Sequence, residues 1–419
     1  MQTSVDLGSM LPKLPSLPEV ISVLSDSTRQ PQIAELYKCI FSLRQQTDMA
    51  SQAVEALIHS LAAFPPAPSV SCADLRSSSV LFRHECCYLL GQIGADSKDV
   101  ENVKKPVFLA LLRVLEDERE DEVTRHEAAE GIAAVFNHNL DDAVFDFEAF
   151  DRQLLAFSKY RVAEDLTHDD NMHDQQGLPP SVSNRHGEME APAEGDSTTR
   201  LFLWRNRRLI AILGSFVANL GRSPLGETCY VALAGLKRQR AKVCACQYLS
   251  FDPAIGDPTA QPSDIARYTR ILADAEGELY ARYVAMFTLR NLHAVRQLAQ
   301  VLSSDTSSAA LRHEIAFILG QIEFSSENTG GVDGAEGGDV ENVAVTALVA
   351  NLCNEDEHEM VRHESAIALG SIGGDAAKQA LKRFASCPVQ MVAESCVVAL
   401  DTMAYWDAWE TAERLVNGA

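Results

Sequence analysis

Four stretches of the chain share one pattern of small, large and polar positions: LFRHECCYLLGQIG (81–94), VTRHEAAEGIAAV (123–135), ALRHEIAFILGQI (310–322) and MVRHESAIALGSIG (360–373). Counting from each histidine, the third residue on is small (Cys87, Ala129, Ala316, Ala366) and the sixth is aliphatic (Leu90, Ile132, Leu319, Leu369). Apolar residues at three-residue steps predict a helix with one buried face, and small ones let a neighbouring helix approach closely. Strand signals are weak. Gly94 and Gly373 are expected to end the first and last of these helices.

The second half of the chain repeats the first in the same order. LYKCIFSLR (36–44) matches RYVAMFTLR (282–290) at Tyr37/Tyr283, Phe41/Phe287, Leu43/Leu289 and Arg44/Arg290; DVENV stands at 99–103 and 339–343; GETCYVALAGL (226–236) returns as AESCVVALDTM (393–403). Short helix pairs that cannot bury their apolar faces alone must stack. The expected fold is all-α: an α-solenoid of HEAT-like helix-pair repeats in two duplicated halves facing each other.

The expected organisation has an N-terminal half at 1–138, an insertion at 139–222 with a disordered middle at about 165–200, closing helices at 223–245, a proline-rich linker at 246–262 and a C-terminal half at 263–419. His168, His173 and His186 lie in the polar middle of the insertion and read as solvated loop residues. LFLWRNRRLIAILGSFVANL (201–220) reads as a helix packed on the solenoid rather than on a membrane surface. Residues 325–342, glycine-rich and acidic, read as a mobile surface loop.

Charge and composition narrow the partners. With 59 acidic against 36 basic residues the net charge is −23, which disfavours nucleic acid and suits a basic partner. No secretory signal opens the chain and no apolar run has membrane-spanning length. The ten cysteines form no CxxC pairs, and Cys86–Cys87 fall inside an apolar helix, so a reducing cytoplasmic setting is expected.

Arg-His-Glu occurs at 83–85, 125–127, 312–314 and 362–364. Eleven histidines should yield only about 0.04 such triplets by chance. Adjacent helical residues diverge by about 100°, so His and Glu cannot share one core stripe. Both can lean toward an opening near the helix start, and two facing halves would then gather four pairs in one cleft. Crowded carboxylates repel unless a cation joins them. Nitrogen and oxygen donors without thiolate suit iron or manganese, and this many donors suit two ions. Helix-built carboxylate sites holding two ferrous ions bind dioxygen. The candidate ligands are His84, Glu85, His126, Glu127, His313, Glu314, His363 and Glu364. Arg83, Arg125, Arg312 and Arg362 are expected to brace the glutamates.

At these residues, and in YVAMFTLRN, LGQI, MVRHE, YLSFDP and AESCVVALD, the chain resembles the deoxyhypusine hydroxylase family. The resemblance implies a di-iron monooxygenase with dioxygen as co-substrate, acting on the deoxyhypusine side chain of translation initiation factor five-A. It implies one iron held by His84, His126 and Glu127 and a second by His313, His363 and Glu364, with Glu85 and Glu314 as further ligands or as anchors for the substrate's amines. A monomer with no nucleic-acid or membrane partner is expected. VTRHE departs from the family's MVRHE before the second pair, and SAIALG departs from its alanine–glutamate pattern after the fourth. A binding scaffold without catalysis is the alternative that a helical repeat array allows.

Overall fold

The computed structural model describes residues 14–44, 49–66, 74–137, 207–238, 251–322, 324 and 337–417. Among these, sixteen helices of nine residues or more form eight consecutive pairs, and no strand occurs. The first half holds α1 (Leu17–Ser25), α2 (Ile33–Arg44), α3 (Ala50–Ala63), α4 (Val80–Asp96), α5 (Lys105–Glu116), α6 (Glu122–Asn137), α7 (Arg207–Leu220) and α8 (Pro224–Arg238). The second holds α9 (Ile265–Ala273), α10 (Leu279–Asn291), α11 (Val295–Ser304), α12 (Ala309–Gln321), α13 (Gly337–Cys353), α14 (Glu359–Ile372), α15 (Asp375–Phe384) and α16 (Gln390–Asn417).

The even-numbered helices pack in sequence, α2 on α4, α4 on α6 and so on to α16, and α16 packs back on α2. The solenoid therefore closes: eight inner helices form a ring, and the odd-numbered helices lie outside it. Closure occurs at two matching seams. At one, α8 touches α10 and α12; at the other, α16 touches α2 and α4. All eight small and aliphatic positions of the four-fold pattern are 0% exposed, which accounts for the pattern.

Gly94 does not end its helix. It lies inside α4, where an added Cβ would meet Val135 Cγ2 at 2.7 Å and Val107 Cγ1 at 2.9 Å. Its smallness serves close packing, whereas Gly373, with φ +85°, does cap α14. Arg207–Leu220 is a helix packed on the solenoid, burying Leu209, Ile212, Leu213 and Phe216 against the core. Residues 337–342, expected in a loop, already belong to α13. In the expected linker, Asp257 N–H donates to Thr288 Oγ1 at 2.8 Å and Arg290 donates to Asp252 at 2.9 Å, so the stretch from 251 is bound to α10. The segment 165–200 with His168, His173 and His186, and residues 325–336, lie outside the described residues.

Candidate metal centre

Each histidine of the four pairs is the fifth residue of an inner helix: α4, α6, α12 and α14. The helix starts are fixed by a capping residue five positions earlier. Ser79 accepts from Phe82 N–H at 3.0 Å, Asp121 from Val123 N–H at 2.9 Å, Ser308 from Leu311 N–H at 3.0 Å, and His358 from Met360 N–H at 3.3 Å. A cap at the same spacing before each histidine starts the four helices alike, so that the four imidazoles can meet.

The rings meet at its centre. Within each half they are nearly parallel, His84 to His126 with centroids 6.3 Å apart at 16° and His313 to His363 6.1 Å apart at 24°. Across the halves they are nearly perpendicular and closer, 5.1 Å for both His84–His363 and His126–His313. All eight His and Glu residues are buried, none more than 8% exposed.

Glu127 stands between the first two histidines, its Oε2 3.2 Å from His84 Nε2 and 4.0 Å from His126 Nε2. Glu364 stands likewise between the other two, its Oε2 3.6 Å from His313 Nε2 and 3.4 Å from His363 Nε2. Glu85 reaches across the halves, with donor atoms grouped within 4.8 Å of those of His84 and His363. Among the described residues, Glu314 joins no such group. Glu130, one turn after His126 with its Oε1 3.8 Å from Nε2, joins one with His126 and Glu127. Sequence reasoning missed it, although its spacing of four from His126 was visible.

The donor set passes a chemical test for metal. Thr228 Oγ1 lies 2.5 Å from His126 Nδ1 and donates its own proton to the Pro224 carbonyl at 2.9 Å. Ser395 Oγ lies 2.9 Å from His363 Nδ1 and donates to the Met391 carbonyl at 2.7 Å. Each hydroxyl has spent its proton, so it accepts from Nδ1–H, and the lone pair falls on Nε2. The Nε2 atoms of all four histidines are buried without a hydrogen-bond partner. The unmet Nε2 lone pairs of His126 and His363, each beside a carboxylate, fit a cation held between them.

The electrostatics agree. Burial works against a charge on every ring; at His84 it is outweighed by Glu127 and Glu85, which push the imidazole up to about 10. His126 is pushed down to about 3 by burial and by His84, His313 is lowered by burial and by His126 and His84, and His363 by burial and by His84 and His126. Glu364 is raised to about 8 by burial and by Glu85 and Glu127, and Glu130 and Glu314 are raised well above the usual range by burial and neighbouring carboxylates. Mutual repulsion of this kind is what a shared cation relieves.

The arginines do not brace these glutamates. Arg83 pairs with Glu120 and Arg312 with Glu357, both in loops of the next repeat. Arg125 and Arg362 each donate Nε to a backbone carbonyl ten residues back, at Leu115 and Leu352. One residue before the histidine, the side chain turns about 100° away from the ring centre; Arg83 and Arg312 thereby tie successive repeats together, and Arg125 and Arg362 tie the two helices of their own pair.

A family model described as HEAT repeats matches residues 295–401. The deoxyhypusine hydroxylase of Gibberella zeae is 29% identical over 80% of this chain and 76% of its own length. That of Rattus norvegicus is 29% identical over 81% of this chain and 82% of its own. The solved structure of human deoxyhypusine hydroxylase in complex with glycerol superposes with a TM-score of 0.60 at 24% identity, covering 93% of this chain and 96% of that one, and shares its fold.

Proposed function

We propose that this chain, which belongs to the deoxyhypusine hydroxylase family, is a monooxygenase that hydroxylates the deoxyhypusine side chain of translation initiation factor five-A to hypusine. One atom of dioxygen enters a C–H bond of the aminobutyl arm and the other leaves as water, with two electrons and two protons drawn from an external two-electron donor. The observation that carries this reading is the set of four buried Nε2 atoms without partners at the centre of the ring.

His84, His126 and Glu127 would hold one iron and His313, His363 and Glu364 the other. An iron pair, when bound, supplies open coordination positions and electrons for activating dioxygen. The remaining work falls to the protein. Thr228 and Ser395 keep His126 and His363 in the tautomer that presents Nε2. Burial of the cluster excludes water and lowers the local dielectric, which strengthens every charge interaction inside. Glu85, its donor atoms grouped with those of His84 and His363, would serve as a further ligand. Glu314, buried but outside every ligand group, receives the ammonium of the substrate arm. A cation arriving among raised carboxylates restores their ionised form and is held by it.

The net charge of −23 suits a basic substrate protein. No described helix is long and apolar enough to cross a membrane. The seven described cysteines are all free, in keeping with a reducing cytoplasm. A monomer fits a ring that closes on itself. A catalytically silent HEAT scaffold would not need polar nitrogens buried without partners, which cost free energy unless something binds them. The deciding experiment is hydroxylation of purified deoxyhypusine-bearing substrate in air, with and without an iron chelator. Product that forms equally in the presence of chelator would refute the iron-dependent reading.

A further inference from the structure

The repeated sequences GETC and AESC place a Glu–Thr and a Glu–Ser dipeptide at matching points of α8 and α16. Each dipeptide touches both halves. Thr228 orients His126 of its own half, while the neighbouring Glu227 accepts the Ser308 hydroxyl at 2.7 Å. Ser308 caps α12, the helix of His313 and Glu314 in the other half. The mirror arrangement holds at the second seam. Ser395 orients His363, while Glu394 accepts the Ser79 hydroxyl at 2.5 Å, and Ser79 caps α4, the helix of His84 and Glu85.

Both capping hydroxyls are fully engaged. Each takes the N–H of the third helical residue on a lone pair and gives its one proton to the glutamate across the seam. The carboxylate therefore fixes both the hydroxyl direction and the azimuth of a helix whose histidine lies five residues on. Glu227 and Glu394 are 7% and 9% exposed, so each is held at a desolvation cost that an apolar residue in the seam would avoid. That the same costly contact occurs at both seams argues for a purpose.

We propose that Glu227 and Glu394 are positioning residues that clip each half's closing helix to the histidine–glutamate helix of the other half, so that the metal position in one half depends on a carboxylate from its opposite. The proposal rests on the reading that each half holds one ion. Its signature is crossed dependence.

The test uses the full-length chain and ferrous iron in competition with a chromogenic chelator. His126→Ala leaves the C-terminal position intact, and His363→Ala leaves the N-terminal one. In the His126→Ala background, Glu227→Ala is expected to weaken iron binding about tenfold, the lower bound for losing an outer-shell contact, while Glu394→Ala changes it less than about twofold. In the His363→Ala background the order reverses. Glu227→Gln and Glu394→Gln retain the acceptor oxygen and should bind as their parents do. Should an alanine variant fail to fold, Glu227→Leu and Glu394→Leu keep the volume and remove the acceptor. Loss confined to the same half, no loss, or equal loss with glutamine overturns the clip while leaving the metal centre standing. If the two parent variants do not each retain one ion, the metal reading falls and takes the clip with it.

Discussion

The two halves carry the same skeleton but not the same number of carboxylates beside the second histidine. Four residues after the second histidine of each half stands Glu130 in one and Ile367 in the other. The ligand geometry beside that position is matched: Glu127 and Glu364 between their histidines, hydroxyls of Thr228 and Ser395 behind them, near-parallel imidazoles in each half. Duplication thus preserved the minimal donor set twice, and divergence left the N-terminal position with one more carboxylate. Glu130, raised by burial and by Glu314, Glu127 and Glu364, adds charge where charge is already crowded. Such a group is stable only if a cation is near or a proton is bound.

The comparison breaks most visibly when a ligand is removed. His126→Ala and His363→Ala should each lower bound iron from about two ions per chain to about one, measured by elemental analysis. Hydroxylation should fall at least a thousandfold in both, more than the ~4 kcal/mol of a single lost electrostatic contact. A variant that keeps two irons would remove that histidine from the ligand set.

Replacing the odd residue sharpens the comparison instead. Glu130→Ile gives the N-terminal half the C-terminal half's side chain. On the proposed two-iron reading, wild type should bind its ions with two distinct affinities, and Glu130→Ile should bring them together by weakening the N-terminal position about tenfold. Stepwise iron titration reads this directly, and an unchanged first step would show that Glu130 stays outside the metal's reach.

Packing between inner helices differs in the same way. An added Cβ at Gly91 of α4 would meet the Gly131 Cα at 2.6 Å, a backbone atom that cannot swing aside. At Gly131 the first obstacle is Leu111 Cδ1 at 2.9 Å, the end of a flexible chain, and the C-terminal half already carries Ala368 in the corresponding place. Gly91→Ala should therefore destabilise by about 1–3 kcal/mol. Gly131→Ala should cost less, since better helix propensity offsets up to about 1 kcal/mol of it. Thermal unfolding of the two variants checks the order.

The helical class, the duplication and the four histidines that meet were legible because all three are periodic: a helix face repeats every three or four residues and a copied domain repeats whole motifs. Closure of the ring was not, since a seam such as Glu394 to Ser79 joins residues 315 positions apart with no periodicity between them. GETC and AESC were visible as marks of duplication, but a lone hydroxyl says nothing about which ring nitrogen it will meet. The arginines were misjudged because sequence adjacency to a glutamate was taken as spatial adjacency, and on a helix the next residue points elsewhere. Gly94 was misjudged because a glycine that ends a helix and one that lets two helices touch look alike in sequence.

The smallest expected effect separates the two seams by pH. Burial pushes Glu227 up to about 7, against the opposing pull of the Ser308 bond and of Arg222 and Arg282. Glu394 is raised too, again by burial, but it has a second donor: Gln390 Nε2 reaches its Oε1 at 2.8 Å. Ser223 occupies the equivalent place before Glu227, and its Oγ accepts the Gly226 N–H. Below the ordinary carboxyl value of 4.5 the Glu227 side chain is protonated folded or unfolded and has no effect on stability. As pH rises from there to about 7, the unfolded chain releases the proton while the folded one retains it, so stability falls, and above 7 the deficit is constant. Glu227→Gln removes the deficit. Its unfolding midpoint should match wild type near pH 4.5 and exceed it by a few °C above pH 7, on the order expected for a small gain in a large chain. Glu394→Gln should gain less, because Gln390 already favours the ionised form. A Glu227→Gln advantage that did not grow across this interval would mean that the Ser308 bond and the charges of Arg222 and Arg282 together offset the burial of the carboxylate.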